Sequence, residues 1–433
     1  MSDPKEHPFP DIVANGSMTR DYRALLWSAL VVMIISRLAL ILLIEVEPTS
    51  DMGWYYQRAI GLFETGQYQE NGVPTAFWPV GYPAFLAGVM VLGGPSVLTA
   101  QLANLALSVI GALLLYGLCI RNFGSPRIAT VAVCLLAAYP NHMGYSLGLY
   151  TEPLYTALLL LVWMLTKPDA RISSIVVAGV VAGLATLVKA QMLLLAPLLI
   201  FILSMRGWTQ RDVIIALRNA MLASAVMVVT IAPWTLRNYQ VLGAFIPVST
   251  NGGMSLLAGN NPSMTFDLRT DYNDSDPIFF FFYFSVVDQV AADQRAREAA
   301  WRWISENPMK FVSLMPKKLI RLWLPDGESE WNLQRGFANY EKWQREIRTA
   351  RVINQIYYSL LLAGFIFALT RCVRLREPQT LAIPLAILYF TMLSLVFSGQ
   401  SRYHAPLMPL VIIYAAWTLA WTRPTRGRVA PRC

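Results

Sequence analysis

The chain has 433 residues, of which 55% are hydrophobic and only 14% charged, with a mean hydropathy of +0.45. Soluble proteins carry about a quarter charged residues, so the composition excludes an ordinary globular enzyme and indicates a polytopic membrane protein. The net charge of +9 lies in short loops between apolar runs, a pattern that reflects membrane topology and not a nucleic-acid partner.

Residues 1–23 are polar, contain Pro8 and Pro10, and read as a cytoplasmic tail before an uncleaved anchor. The first apolar run, 24–44, is long enough to cross a bilayer as one helix. Arg37 lies inside it, and because an unpaired charge there is expensive, it is expected to pair with an acid or line a cavity. Further apolar runs cover 97–120, 128–145, 153–165, 172–188, 192–205, 220–234, 353–370, 381–397 and 405–421. The expected fold is therefore an all-α polytopic bundle of about ten transmembrane helices. The run 82–92 is apolar but short, and charge decides its status. If it does not span, Arg121, Arg127, Lys167, Arg171, Arg206, Arg211, Arg371, Arg374, Arg376 and the tail 422–433 fall on one side, the cytoplasmic one. Residues 82–92 then lie in or dip into the interface, within a first outer loop 45–96. A large outer loop, 239–350, completes a membrane domain over 24–421. The four cysteines show no Cys-x-x-Cys spacing, which argues against a disulfide scaffold or a zinc site.

This parity gathers polar residues on the outer face. They are Asp51 with Gly53-Trp54-Tyr55-Tyr56, the turn Trp78-Pro79-Val80-Gly81-Tyr82-Pro83, Glu152, Lys189, Arg237 and Arg402-Tyr403-His404. In the large loop, 248–253 and Gly259-Asn260-Asn261-Pro262 are turn-rich and can present backbone N–H groups to an anion. The acidic stretch 271–276 lacks the glycine and distant glutamate of a calcium loop and reads as a solvated turn. An aromatic run, 279–284, suits the interface. Residues 288–307 have amphipathic helical character, and Lys317, Lys318 and Arg321 mark a basic surface helix whose cations can snorkel to headgroups.

In this order the pieces resemble the GT-C superfamily of integral membrane glycosyltransferases, specifically the group of the protein O-mannosyltransferases and the lipid A aminoarabinose transferase. The resemblance runs from about 24 to 421. It rests on Asp51 with Trp54-Tyr55-Tyr56, the Trp78–Pro83 turn, Thr151-Glu152-Pro153, and Gly183-Leu184 through Lys189. It continues through Pro233-Trp234-Thr235-Leu236-Arg237-Asn238, Gly259-Asn260-Asn261-Pro262, Asn307-Pro308 and Arg402-Tyr403-His404-Ala405-Pro406. It implies transfer of a hexosyl or pentosyl unit from a polyprenyl-phosphate sugar to a lipid, glycan or protein acceptor. The place implied is the periplasmic or exterior face of a bacterial cytoplasmic (inner) membrane. The chain is shorter than those relatives and shows no sizeable soluble domain after its last run, so the acceptor does not carry over.

The chemistry makes separate sense of the residues. A glycosyl phosphate already has a good leaving group, so the enzyme must activate an acceptor hydroxyl and stabilise the departing phosphate. Asp51 is the candidate general base, its alternative being an N-cap for a helix beginning near Gly53. Glu152 positions the acceptor or tunes Asp51, or caps a helix before Pro153. Lys189 and Arg237 are the candidate phosphate ligands, with membrane anchoring as the alternative, and Arg402 and His404 are a second candidate pair. Tyr55, Tyr56, Trp78 and Tyr82 suit sugar stacking or an aromatic belt. No Asp-x-Asp follows the first run and only His7, His142 and His404 are present, so catalysis without a metal or other cofactor is expected. The competing classes are a lipid-linked glycan flippase or transporter, and a GT-C-like polymerase or ligase. A transporter calls for midplane charges and a repeat between halves, neither of which stands out.

Overall fold

The computed structural model describes residues 20–264, 288–327, 334 and 336–420. The acidic stretch 271–276, the aromatic run 279–284, residues 1–19 and the tail 422–433 lie outside the described residues. The chain begins with α1 (Arg20–Leu43), α2 (Ser50–Thr65), a hairpin of β1 (Gln69–Glu70) and β2 (Val73–Pro74), α3 (Gly81–Gly93) and α4 (Val97–Phe123). It continues through α5 (Pro126–Ala138), α6 (Pro140–Gly144), α7 (Thr151–Leu165), α8 (Ile172–Val188), α9 (Met192–Ser204) and α10 (Gln210–Leu242). The remainder comprises α11 (Gly252–Gly259), α12 (Gln289–Glu306), α13 (Pro308–Trp323), α14 (Gln344–Cys372), α15 (Ala382–Val396) and α16 (Met408–Ala420).

The fold is an all-α polytopic bundle in which each expected apolar run has its helix. Among the described residues six helices are long and apolar enough to cross a membrane, and α3, α5, α7, α8 and α9 are shorter apolar helices. Local chemistry sets the helix ends. Ser96 and Ser125 cap α4 and α5 through side-chain acceptors, and Gly124 closes α4 in the left-handed region (φ 61°). The run 128–145 is not one helix. Pro140 has no N–H to donate and holds Tyr139 in an extended conformation, so α5 stops at Ala138 and the short α6 starts afresh.

Hydrogen bonds fix the direction of each helix. Gln101 donates to Leu147 O at 2.6 Å and Asn104 to Gly148 O at 2.9 Å, both just before α7 begins. Twenty residues further along α4, Arg121 donates to the carbonyls of Trp163, Met164 and Thr166 where α7 ends. So α4 and α7 run parallel, and α4 starts at the end of the bundle where α7 starts. There α1 has just finished, since Asp51, a few residues on, bonds Arg402 beside Glu152. Between them α3 begins against the end of α8, where Gly81 fits only because it lacks a side chain: a Cβ would lie 2.6 Å from Leu187 O. Both ends of α3 therefore lie at one end of the bundle. At the opposite end Arg121, Lys167 and Arg206 line a cavity of about 450 Å³ with Gln379 and Tyr414.

Two expectations are corrected. Arg37 is fully buried, but carbonyls and a ring nitrogen hold it, not an acid: Met33 O and Ala137 O at 3.2 Å, Leu136 O at 3.4 Å and His142 Nδ1 at 3.0 Å. Lys318 does not snorkel. It is buried, and its ammonium donates to Asn260 Oδ1 (2.8 Å) and to Leu395 O (3.1 Å) at the carboxyl end of α15.

The contact between α8 and α10 depends on Gly179 and Gly183, one helical turn apart. Added Cβ atoms would meet Ala223 O at 2.7 Å and Thr230 Cβ at 2.5 Å, so small residues let the backbones approach. Gly183→Ile is expected to destabilise the bundle by about 1–3 kcal/mol through overpacking. Leu184→Ala, at an exposed neighbour, should leave it within about 0.5 kcal/mol. Thermal unfolding of both variants in the same detergent checks this, and equal midpoints would refute the packing account.

Candidate active site

Four charged side chains from distant parts of the chain meet at the end of the bundle where α7 begins. Arg402 NH1 lies 3.1 Å from Asp51 Oδ2, Arg402 Nε lies 3.7 Å from Glu152 Oε1, and Lys189 Nζ lies 2.9 Å from that same oxygen. The result is a connected row of alternating sign: Asp51, Arg402, Glu152, Lys189. Its two ends differ. Asp51 and Arg402 keep side-chain exposures of 28% and 25%, whereas Glu152 is enclosed at 4% and Lys189 at 12%. The buried pair sets the geometry and the open pair can be reached. The contact of Arg402 Nε with Glu152 is an ion pair longer than a hydrogen bond, and among the described residues this buried N–H has no hydrogen-bond partner.

Local structure explains each position. Helix α2 starts at Ser50, earlier than the expected Gly53, and its N-cap is Thr49, so Asp51 sits in the first turn with its carboxylate turned to Arg402 and does not cap. Ser50 takes a positive φ of 51°, unusual for a residue with a side chain and a local strain next to Asp51. Glu152 occupies the first turn of α7, where the helix dipole favours an anion, and Thr151 Oγ1 donates to its second oxygen at 3.2 Å. Lys189 ends α8, and Arg402 lies in a 3₁₀ turn, Ser401–Tyr403, that leads into α16.

The aromatic candidates form a wall beside the row. Tyr55 packs edge-on to Tyr82 (5.5 Å between centroids) and lies 6.3 Å from Trp78. Burial, and then the Asp51 carboxylate, push the Tyr55 hydroxyl well above its usual range, so it stays a neutral donor. Tyr82 is fully buried and accepts from Asn104 at 3.1 Å, while Trp78 is half-buried. Tyr56 points elsewhere, its hydroxyl donating to Pro95 O at 3.0 Å. Tyr68, which carried no sequence signal, braces this wall by donating to Trp78 O at 3.1 Å and by packing between Trp54 and Trp234.

Two expected phosphate ligands stand apart from the row. Arg237 donates to Thr75 O and Tyr68 O at 2.7 Å each and lies over the Trp234 ring, clamping the hairpin. His404 is fully buried, with both ring nitrogens engaged, two residues from Arg402. The turn-rich segments also have internal partners. The N–H of Gly253 donates to Asp293, so the chain supplies its own anion there, and Asn260 bonds Leu256 O, Val396 O and Lys318. Asp293, inside the amphipathic helix 288–307, and Asp326, just beyond the basic helix, carry no sequence signal because an acid on a polar helix face or in a turn looks solvated.

Residues 78–236 match the family described as Dolichyl-phosphate-mannose-protein mannosyltransferase. The fold is similar to that of the archaeal oligosaccharyltransferase AglB from Archaeoglobus fulgidus, solved with an inhibitory peptide and a dolichol-phosphate (TM-score 0.51, 13% identity, 93% of this chain and 50% of that chain). A second structure of the Archaeoglobus fulgidus oligosaccharyltransferase, with Zn and sulfate, gives 0.51 at 15% identity over 90% and 48%. ArnT from Cupriavidus metallidurans bound to undecaprenyl phosphate follows at 0.43 and 16% identity, over 92% and 77%. The chain thus spans about half the length of AglB. No match was found among curated proteins.

Breaking the buried pair has a measurable consequence. Glu152→Gln leaves Lys189 uncompensated, which for a buried pair costs about 3–5 kcal/mol, and Glu152→Gln with Lys189→Met should recover part of it. A double-mutant cycle on thermal unfolding tests this coupling, and simple additivity of the two changes would show that the pair is not one unit.

Proposed function

Starting from a chain with the fold of the GT-C superfamily of integral membrane glycosyltransferases, we propose an enzyme that moves a monosaccharide from a polyprenyl-phosphate sugar donor to a lipid, glycan or protein acceptor at the outer face of a bacterial cytoplasmic membrane. The observation that carries this reading is the row Asp51–Arg402–Glu152–Lys189 at one end of the bundle, open at Asp51 and closed at Lys189.

In this mechanism the donor phosphate takes the partly exposed Arg402 guanidinium, and Lys189 lends charge from the enclosed end of the row. Asp51 accepts the proton of the acceptor hydroxyl as it attacks the anomeric carbon, and the phosphate leaves with the glycosidic electron pair, stabilised by the two cations. Glu152 is too enclosed to meet an acceptor, so it holds Arg402 and Lys189 in place. Tyr55 and Trp78, backed by the buried Tyr82, form the wall against which the sugar is placed, while Tyr56 points away from it. Arg237 supports the site by fixing the hairpin that carries Thr75 and Tyr68. Turnover needs no added metal. The outer-face assignment rests on the basic residues at the opposite end of the bundle.

Two experiments test the proposal. With purified protein and polyprenyl-phosphate monosaccharides in chelator, Asp51→Asn should lower transfer by roughly 10²–10⁴ while donor binding persists. Arg402→Ala should weaken donor binding instead. Transfer by Asp51→Asn at the wild-type rate would move the base elsewhere, and lipid movement without transfer by the wild type would indicate a flippase. For orientation, Phe245→Cys in the large loop should react with an impermeant thiol reagent in intact spheroplasts, and Leu375→Cys at the opposite end only after lysis; both positions are exposed. The reverse pattern would place the site in the cytoplasm.

A further inference from the structure

Resting on the assignment of Arg402 to the donor phosphate, we propose that His404 is a buried imidazolium, paired with Asp326, that positions the Arg402 turn without touching substrate itself. The argument is a count of donors and acceptors. Asp326 has no exposed side-chain surface and sits just beyond α13. Its Oδ1 faces Asn141 Nδ2 at 2.5 Å and His404 Nε2 at 3.1 Å, and its Oδ2 faces the Tyr139 hydroxyl at 2.6 Å and Asn354 Nδ2 at 3.0 Å. The Asn354 amide cannot be turned round, because its Oδ1 accepts the Asn141 N–H at 2.9 Å. Three neutral donors, from Asn141, Tyr139 and Asn354, favour the ionised carboxylate, so the proton on the line between Asp326 and His404 belongs to the ring.

The other end of the ring closes the count. His404 Nδ1 lies 2.5 Å from Leu322 O, and a carbonyl can only accept. Both ring nitrogens therefore carry protons, which makes the imidazole a cation. Trp323 and Tyr358 cover its two faces at 5.5 and 5.1 Å, nearly parallel, as suits a delocalised charge. The titratable groups around it are Asp326, Tyr139 and Tyr358.

This cation controls the turn beside it. His404 closes the 3₁₀ turn through its N–H to Ser401 O at 3.1 Å, and Arg402 lies inside that turn. On the other side Gly399 packs on the backbone of Lys318, whose ammonium holds the end of α15. Arg402 is thus suspended between two attachments to α13 or its continuation, one through Lys318 and one through Leu322 and Asp326.

The test uses the full chain in nanodiscs with ¹⁵N-labelled histidine. Of the three histidine signals, the one lost in His404→Gln should show both nitrogens protonated at neutral pH in the wild type, and one bare nitrogen would overturn the charge assignment. Amide hydrogen exchange reads the positioning role. The amides of 401–407 should exchange at least about tenfold faster in His404→Gln, with α4 and α7 unchanged. Unchanged exchange there would overturn it. Binding of undecaprenyl phosphate should weaken about ten- to a hundredfold in His404→Gln from the displaced Arg402. It should be unaffected by Lys317→Gln on the exposed face of α13. Equal binding by wild type and His404→Gln would refute the link to Arg402. A wild type that binds no polyprenyl phosphate would defeat the donor reading alone, since the nitrogen spectrum and hydrogen exchange still decide the state and role of His404.

Discussion

A cation buried in an apolar bundle has to be satisfied by the protein, and the kind of partner it finds sorts the cations of this chain. Arg37, Arg121, Arg237 and Lys318 spend their donors largely on backbone carbonyls, most of them at helix ends or turns. Each locks one element to another and offers little to a ligand. Lys189 and Arg402 face carboxylates, and those carboxylates connect to one another through Arg402. A carbonyl partner completes a fold, whereas a carboxylate partner leaves a charge pair that an incoming anion can reorganise. The rest of the architecture, including the parallel α4 and α7, serves to bring that one connected set together.

Much of this was legible in the sequence because it follows from transfer energetics. Runs of apolar residues had to become helices, and basic loops had to share an end. Asp51 and Glu152 stood out because acids beside long apolar runs are rare, and Arg402 because it opens the piece Arg402-Tyr403-His404-Ala405-Pro406. Partner choice was not legible. Arg237 and Arg402 look alike in sequence, each polar among apolar neighbours, yet one meets the carbonyls of the hairpin and the other meets Asp51. That difference depends on contacts between residues more than 150 positions apart, which no local pattern records. Lys318 was misread for a related reason: its neighbours Lys317 and Arg321 suggest a surface, and only the packing of α13 on α15 turns the middle cation inward. Pro140 carried a signal that was available and went unused.

The charge row also explains why local irregularity collects where it does. Ser50 takes a left-handed backbone immediately before Asp51, and Gly399 and Gly259 lie so close to neighbouring backbone that a side chain at either could not fit. These positions surround the two segments that deliver Asp51 and Arg402. A loop and a helix start that must meet at 3.1 Å have little slack, and the strained backbone at Ser50 stands where the first of them is delivered.

One feature of the arrangement bears on how the site selects its ligand. Two acids and two bases sum to no net charge, so the side chains alone give an anion no reason to enter. The backbone supplies one. Helices α2, α7 and α9 all begin next to the row, at Ser50, Thr151 and Met192, each presenting the positive end of its dipole, equivalent to roughly half an elementary charge. Because this bias comes from peptide groups that neither gain nor lose protons, it is the one part of the site's attraction for an anion that acidity leaves unchanged, whatever happens to the side chains of the row.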